Sequence, residues 1–199
     1  MPAILKKQLN GSVSICLWQI QETESFFLQN DFIDQHDIKE IQKIKLESRR
    51  LEKWACRAAL AELTGEKEIS ITYTPNGQPL FQKGFISFSH TKDLVLVAFS
   101  DQPVGVDIEL CAPRILKLKH KFMNEKEILF FDPENPKDIT LIWCAKEAIF
   151  KWYAKGKLDF SNDMLISKDP LKATLKNEIE IPLYQMEYLD FMIVVAFEN

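Results

Sequence analysis

Two acidic residues in one short segment could bind the same cation. Asp107 and Glu109 alternate with apolar residues in segment 105–109, Gly-Val-Asp-Ile-Glu, and this period of two predicts a β-strand that points both carboxylates from one face. The rise along a strand separates two such residues by roughly 6.6 Å at the backbone. Both carboxylates can therefore reach one ion, and carboxylate oxygens are ligands that Mg²⁺ prefers.

A third carboxylate lies in a segment with the period of a helix. Trp143, Glu147 and Lys151 are spaced four residues apart, which places them on one stripe of an α-helix. Mg²⁺ usually keeps coordination positions for water and for phosphate oxygens. Three carboxylates with a lysine beside them therefore predict a site for a divalent cation bound to a phosphate ester.

Each motif taken alone also fits an ordinary structural role. Acid pairs with the spacing of Asp107 and Glu109 are common on solvated strands. A glutamate followed four residues later by a lysine is a frequent helix-stabilising pair, worth roughly 0.2–0.5 kcal/mol. The functional interpretation depends on the two motifs occurring together.

The two motifs together resemble the signature of the 4'-phosphopantetheinyl transferase superfamily, in its larger, surfactin-synthetase-activating type. Its members move the phosphopantetheine arm of coenzyme A onto a serine of an acyl or peptidyl carrier protein. The family pattern is a Gly-hydrophobic-Asp-x-Glu strand, then a Trp-Ser-x-Lys-Glu-Ala/Ser-x-x-Lys helix. Asp107 and Glu147 are 40 residues apart, as in the family, and Cys144 in place of the serine is the one departure within the motif.

The resemblance implies a metal site and a reaction. Asp107, Glu109 and Glu147 would hold Mg²⁺, or Mn²⁺, on the pyrophosphate of coenzyme A, while the carrier serine attacks the β-phosphate. Glu147, directly or through a water, would take the serine proton as a catalytic residue. The second catalytic residue, Lys151, together with Lys146, would offset charge on the phosphates and on the leaving group, 3',5'-ADP.

The first half of the chain resembles the coenzyme A contacts of the family. A Ser-His pair upstream of the acidic strand contacts the phosphates in the family, and a Gly-Lys-Pro turn has glutamine here instead of lysine. Three arginines lie where the family has basic residues near the adenosine 3'-phosphate, and the sequence leaves open which of them serves. A histidine in a turn and a solvated helix face are the structural alternatives. The predicted coenzyme A set comprises Arg49, Arg50, Arg57, Gln78, Ser89, His90, Lys146 and Lys151.

A basic segment in the second half predicts a docking surface. Segment 114–121 carries cations between apolar residues, in a chain whose net charge is −4. Such a segment is ordinarily a solvated helix face. Carrier proteins are acidic, however, and the family docks them on this part of the chain, where opposite charge would speed encounter more than it tightens binding. The predicted docking residues are Arg114, Lys117, Lys119 and Lys121.

Composition narrows the class of protein. The chain has 199 residues, 46% hydrophobic and 27% charged, which is typical of a globular protein. The acidic balance argues against nucleic acid as a partner. Four scattered cysteines fit neither a zinc site nor a disulfide framework, and three histidines are too few for a histidine-rich metal centre. With no apolar run for a signal peptide or a membrane span, we expect a cytoplasmic location and no membrane association.

A repeat suggests how the chain is organised. Segment 94–99, Leu-Val-Leu-Val-Ala-Phe, aligns with segment 192–197, Met-Ile-Val-Val-Ala-Phe, at an offset of 98 residues. The resemblance implies an α+β fold of two pseudo-symmetric halves, residues 1–102 and 103–199, each with a long helix on a small, mostly antiparallel sheet. It further implies an active site in the cleft between the halves. A chain that carries both halves is expected to be a monomer.

Hydrophobic periodicity and turn residues predict the individual elements. Helices are expected over 26–33, 38–46 and 47–63, the last ending at Gly65, and from Asp138 to Gly156. Asn124 and Glu127 have the spacing of a capping box. Strands are expected over 13–20, 69–74, 85–90, 94–99, 164–167, 179–184 and 188–197.

Two other function classes fit the same residues. A metal-dependent nuclease also uses carboxylates and a lysine, but its substrate calls for a basic surface. A catalytically inactive module that binds coenzyme A or a carrier protein would keep the fold and lose the reaction. The retained Asp107, Glu147 and Lys151 argue against that loss.

Overall fold

The chain divides into two compact units, residues 1–102 and 103–199. The structure is a computed structural model that describes residues 3–9, 11–29 and 32–198. Each unit has a hydrophobic core of its own and combines helices with antiparallel strands, which confirms the predicted α+β class. None of the described helices is both long enough and apolar enough to cross a membrane.

The N-terminal unit places its helices between the second and third strands of the chain. A four-stranded antiparallel sheet has the spatial order β1-β2-β6-β5, and β3 pairs with β4 in a separate ribbon. The elements are β1 Ala3–Gln8, β2 Ser14–Gln19, α1 Glu24–Leu28, α2 Gln35–Gln42, α3 Glu47–Thr64, β3 Thr72–Tyr73, β4 Pro79–Leu80, β5 Phe85–Thr91 and β6 Leu94–Ser100.

Helix α3 builds the core of this unit against β2 and β6. Its middle, residues 54–60, is buried throughout and includes Trp54 and Leu60. Gly65 ends the helix in the left-handed conformation, at φ 71°, which glycine adopts without a Cβ penalty. The predicted helix over 47–63 is therefore confirmed to within one residue.

The C-terminal unit contains one five-stranded sheet and one long helix. The sheet is antiparallel in the spatial order β7-β11-β10-β9-β8, and short 3₁₀ turns lie between β7 and α4. The elements are β7 Val104–Leu110, the 3₁₀ turns Pro113–Lys117, Lys119–Lys121 and Glu125–Leu129, α4 Pro136–Tyr153, β8 Met164–Ser167, β9 Lys172–Leu175, β10 Ile179–Tyr188 and β11 Phe191–Phe197.

Helix α4 begins two residues before its predicted start. The side chain of Asn135 caps the helix by accepting a hydrogen bond from the backbone N–H of Lys137, and Pro136 occupies the first turn, where its missing N–H is not needed. Ala154 ends the helix in the left-handed conformation, ahead of the predicted stop at Gly156. The helix packs against β7 and β11.

Both units share one order of elements. In each, a strand before the long helix pairs with the second strand of an antiparallel hairpin that follows the helix. These elements are β2, α3 and β5–β6 in the N-terminal unit, and β7, α4 and β10–β11 in the C-terminal unit. The aligned segments 94–99 and 192–197 form β6 and β11. Internal duplication stays a prediction, and the shared connectivity supports it.

Several local predictions differ from the structure. The helix expected over 26–33 is the shorter α1, and residues 30 and 31 lie outside the described part of the chain. The strand expected over 69–74 narrows to β3, because Ile69 makes only an isolated bridge to Ile33. Strands β1 and β9 were not predicted; each mixes polar and apolar residues and lies at or next to an edge of its sheet.

Gly105 sets the distance between β7 and α4. A Cβ added at Gly105 would lie 1.9 Å from the carbonyl oxygen of Ala148 and 2.6 Å from the backbone nitrogen of Trp152. Both obstacles are backbone atoms of α4, so no side-chain rotation can relieve the clash. Glycine is therefore required here for close packing of helix on strand.

We expect Gly105→Ala to separate α4 from β7 and to lower the free energy of unfolding by about 3 kcal/mol, since overpacking of a dense core costs this much. Thermal or denaturant unfolding measures the loss. Gly156→Ala is the matched control, because a Cβ there meets nothing within 4 Å, although its φ of 123° adds backbone strain. Equal losses in the two variants would contradict the close-packing argument.

Candidate functional site

The two acids of β7 point toward α4, on the same face as Gly105. Lys151 of α4 donates one hydrogen bond to Asp107 Oδ1, at 2.7 Å, and another to the carbonyl oxygen of Val106, at 2.9 Å. Trp143 Nε1 donates to Glu109 Oε1 at 3.2 Å. The two acids thus lie under the two ends of one helical stripe.

Glu147 lies in the middle of that stripe, and its surroundings raise the pKa of its carboxyl group. Burial, and then the negative charge of Asp107, raise the pKa of Glu147 to about 7, while Lys151 opposes the shift and Glu109 adds to it. Burial and the charge of Asp107 also raise the pKa of Glu109. The three carboxylates are therefore close enough to repel one another.

The donor chemistry of these carboxylates fits a hard divalent cation, which takes oxygen ligands and relieves repulsion among acidic groups. Among residues 3–9, 11–29 and 32–198, however, no three His, Cys, Asp or Glu side chains already stand in a metal-binding arrangement. Asp107 forms an ion pair with Lys151, at 2.7 Å between Oδ1 and Nζ. Binding an ion would thus require the side chains to rearrange around Asp107.

Cys144, the departure from the family pattern, packs beneath the acidic stripe. Its Sγ is buried and donates to the carbonyl oxygen of Met192 at 3.5 Å. Burial first, and then the charge of Asp107, raise the pKa of the Cys144 thiol well above its usual value. The thiol therefore stays neutral and serves α4 packing on β11 as a small side chain.

Lys146, which the sequence assigned to coenzyme A, is fully buried with a side-chain exposure of 0%. Its ammonium donates to the carbonyl oxygens of Phe122, Phe160 and Met164 at 2.7, 2.8 and 3.1 Å. It also forms an ion pair with Glu127 at 2.8 Å. An ammonium group has three N–H donors, and these four acceptors satisfy all of them. Lys146 thus ties α4 to the loops before and after it.

Glu127 is the buried partner of Lys146, and the sequence predicted only its role in the capping box. The predicted capping box is present, since Asn124 accepts from Lys126 and its own N–H donates to Glu127. Glu127 also accepts from the backbone N–H of Ile166 at 2.9 Å. Burial raises the pKa of Glu127 and lowers that of Lys146. The sequence signal for this ion pair is the position of Lys146 among the apolar residues of α4, since a buried lysine needs a partner.

Arg49 and His90 come together in the N-terminal unit. Arg49 Nη1 lies 3.0 Å from His90 Nε2, across the 41 residues that separate α3 from β5 in the chain. Glu52, one helical turn after Arg49, accepts from Arg49 at 2.7 Å and lies 3.4 Å from His90 Nε2. The sequence predicted Arg49 and His90 as binding residues and missed Glu52.

The other two arginines of α3 have structural partners. Arg50 pairs with Glu24 of α1 and donates to the carbonyl oxygen of Ile44 at 2.7 Å. Arg57 is buried and donates two hydrogen bonds to Asp37 of α2, at 2.9 and 2.7 Å. Both guanidinium groups thus hold the shorter helices against α3.

Gln78 and Ser89, the remaining predicted coenzyme A residues of this unit, lie in the β3–β4 turn and in β5. The turn is closed by two hydrogen bonds between Thr74 and the backbone of Gln78, at 2.9 and 3.1 Å. Ser89 is buried in β5, one residue before His90. Neither position adds a permanent charge, so the positive charge of this region comes from α3.

The basic segment of the C-terminal unit forms two 3₁₀ turns rather than a regular helix face. Arg114, Lys117 and Lys121 are exposed. Lys119 donates to the carbonyl oxygen of Pro133 at 2.8 Å and pairs with Glu134. Three of the four predicted docking cations are therefore available at the surface, and Lys119 anchors the segment.

The chain is similar to known phosphopantetheinyl transferases. Residues 103–187 match the family model of the 4'-phosphopantetheinyl transferase superfamily. The 4'-phosphopantetheinyl transferase gsp of Aneurinibacillus migulanus is 27% identical over 155 residues, which cover 68% of this chain and 65% of the relative. The 4'-phosphopantetheinyl transferase Sfp of Bacillus subtilis (strain 168) is 32% identical over 74 residues, 35% of this chain and 33% of the relative.

These matches confirm the family resemblance that the two motifs predicted, and the family match lies within the unit that carries both motifs. The chain spans less than two thirds of the length of the curated relatives it matches.

The raised pKa of Glu147 predicts how stability depends on pH. The folded state binds the proton more tightly than the unfolded chain, whose pKa is 4.5, so this contribution is complete below that value and is lost as the pH rises through about 7. We expect Glu147→Gln to lose less stability than the original protein between about pH 5 and about pH 8. Melts at both pH values test this, with the exposed Glu125→Gln as control. Parallel pH dependences in the Glu147→Gln and original proteins would refute it.

The buried ion pair predicts a large loss when one partner is removed. We expect Lys146→Met to destabilise the C-terminal unit by about 3–5 kcal/mol, because it leaves the charge of Glu127 buried without its counter-ion. The double variant Lys146→Met/Glu127→Leu should recover much of the loss. Denaturant unfolding measures both. If the single variant were as stable as the original protein, Lys146 would be free for another role.

Proposed function

We propose that this protein transfers the 4'-phosphopantetheine group from coenzyme A to a serine of an apo acyl or peptidyl carrier protein, in a Mg²⁺-dependent reaction that releases 3',5'-ADP. The observation that carries the proposal is the helical stripe of α4. It sets Glu147, with its pKa raised to about 7, beside the acids of β7 and next to Lys151. The family match over the same unit supports it.

Asp107, Glu109 and Glu147 are the residues that would hold Mg²⁺ or Mn²⁺. When bound, such an ion supplies positive charge that stabilises the pyrophosphate of coenzyme A. The protein contributes a frame for the ligands, because β7 and α4 pack backbone against backbone at Gly105. Trp143 keeps Glu109 in place through its indole N–H.

Glu147 is the proposed proton acceptor. Its carboxylate lies beside the acids of β7 and one helical turn from Lys151, which is the proposed position of the phosphates, so it can accept a proton there. The carrier serine Oγ forms a bond to the β-phosphorus of coenzyme A, and the bond from that phosphorus to the oxygen bridging to the α-phosphate breaks. The serine proton passes to Glu147, directly or through a water, and the electron pair leaves with 3',5'-ADP.

Lys151 is proposed to stabilise charge on the reacting phosphates. An ammonium group has three donors, and Lys151 directs two of them to Asp107 and to the carbonyl oxygen of Val106. The third can reach a phosphate oxygen. Lys146 does not share this role in our proposal, since its ammonium is buried among four protein acceptors.

The nucleotide end of coenzyme A is assigned to the N-terminal unit. Of the three candidate arginines, Arg49 is the one that is exposed and adjoins His90, so these two are the proposed phosphate donors. Gln78 and Ser89 would add neutral hydrogen bonds. Arg50 and Arg57 hold α1 and α2 instead.

Carrier recognition is assigned to the 3₁₀ segment of the C-terminal unit. Arg114, Lys117 and Lys121 offer exposed positive charge to an acidic partner. Leu118 and Leu129 add exposed apolar surface in the same stretch of chain. We further propose, from the sequence alone, a cytoplasmic monomer that binds neither nucleic acid nor membranes.

The decisive experiment is incubation with coenzyme A, Mg²⁺ and a panel of apo carrier proteins, followed by intact mass. We expect at least one carrier to gain a single phosphopantetheine group, and chelation to stop the reaction. If the protein binds coenzyme A and modifies no carrier in the panel, it is a binding module and the enzymatic proposal fails.

Two substitutions separate chemistry from binding. Glu147→Gln keeps the size of the side chain but removes its charge and basicity, so we expect kcat to fall by about 10²-fold or more, as for other general bases. Lys151→Ala should lower kcat more than it weakens coenzyme A binding, because the charge it answers grows in the transition state. Glu125→Gln is the control for loss of one exposed carboxylate. A folded Glu147→Gln protein with normal turnover would refute the mechanism.

A further inference from the structure

The Arg49–His90 pair has a third member, Glu52. One carboxylate oxygen, Glu52 Oε2, lies 2.7 Å from Arg49 Nη1 and 3.4 Å from His90 Nε2. Arg49 and Glu52 are three residues apart on α3, so they belong to one helical face. The three side chains form a compact triangle that links α3 to β5.

The members of this triangle differ in exposure. The side chain of Arg49 is 53% exposed and that of His90 is 41% exposed, whereas that of Glu52 is 15% exposed. The carboxylate therefore lies beneath two solvent-facing donors. An anionic ligand arriving from solvent would meet the guanidinium and the imidazole, with the carboxylate behind them.

The guanidinium of Arg49 has more N–H donors than those that face Glu52 and His90. Of its five N–H donors, those on Nη1 face Glu52 and His90. Within the part of the chain that the structure describes, the side-chain contacts of Arg49 are made by Nη1, so the donors on Nη2 and Nε can serve a phosphate. An arginine with this much exposure otherwise loses side-chain entropy when it is fixed by a ligand.

We propose that Glu52 is a positioning residue that holds Arg49 against His90 and so prepares the two donors as one phosphate-binding site. The inference rests on the proposed function, because coenzyme A is the ligand assigned to these donors. The bond to Glu52 fixes the guanidinium before the ligand arrives, and preorganisation of this kind raises affinity by lowering the entropy lost on binding.

The negative charge of Glu52 acts in the opposite direction, since it repels a phosphate. A comparison of Glu52→Gln with Glu52→Ala removes this ambiguity because both variants lack the charge. Glutamine keeps a side-chain oxygen that accepts from Arg49. Alanine has no such acceptor, so the comparison tests the anchor for Arg49.

The test is the affinity of the 199-residue protein for coenzyme A and for 3',5'-ADP, measured by isothermal titration calorimetry. We expect Glu52→Ala to bind both ligands about 3- to 10-fold more weakly than Glu52→Gln, the value of one hydrogen bond. In an Arg49→Ala background the same comparison should give equal affinities, because the anchor then has nothing to hold. Thermal melts of the two single variants check that both are folded at the temperature of the titration.

Each outcome separates the inference from the proposed function. If the original protein binds neither ligand, the proposed function fails and the inference falls with it. If the original protein binds and the two Glu52 variants bind equally, Glu52 does not position Arg49 and only the inference is overturned. A difference that persists in the Arg49→Ala background would also overturn it, since Glu52 would then act through another residue.

Discussion

Backbone contact between β7 and α4 at Gly105 is the constraint on which the candidate site depends. A Cβ at this position would overlap the carbonyl oxygen of Ala148, so the helix can lie this low on the strand only because the side chain is a hydrogen atom. At this height Lys151 reaches Asp107 and Trp143 reaches Glu109 by direct hydrogen bonds. The hydrogen bonds from the stripe of the helix motif to the acids of β7 thus depend on the glycine of the strand motif.

The rotation of the helix explains why neighbouring residues of the second motif have different roles. Successive residues of an α-helix are turned by about 100°, so Lys146 and Glu147 leave α4 in different directions. Lys146 enters the protein interior and binds Glu127 and three carbonyl oxygens. Glu147 turns toward β7, where the charges of Asp107 and Glu109 act on it. Of these two adjacent residues, Lys146 therefore stabilises the fold, and Glu147 takes part in the reaction that we propose.

The sequence predicted the parts of the structure that depend on local signals. The period of α3 and its Gly65 stop, the acid alternation of β7 and the capping box at Asn124 all follow from neighbours within a few residues. The partners of the arginines do not. Asp37 lies 20 residues from Arg57, and helix periodicity says nothing about which distant carboxylate meets a given guanidinium. The sequence therefore did not distinguish Arg49, Arg50 and Arg57, although they differ in exposure and in their partners.

The acidic cluster explains why this unit needs its buried frame. Burial, and then the charge of Asp107, raise the pKa values of Glu109 and Glu147, so ionisation of these carboxylates opposes folding. Within the described residues, Lys151 gives Asp107 partial compensation, and the tight contact at Gly105 keeps the acids from moving apart. A ligand that binds the folded state and not the unfolded chain stabilises the fold. A divalent cation would therefore relieve the same repulsion that makes the three carboxylates suitable for binding it, so that in our proposal metal binding and the stability of this unit are linked.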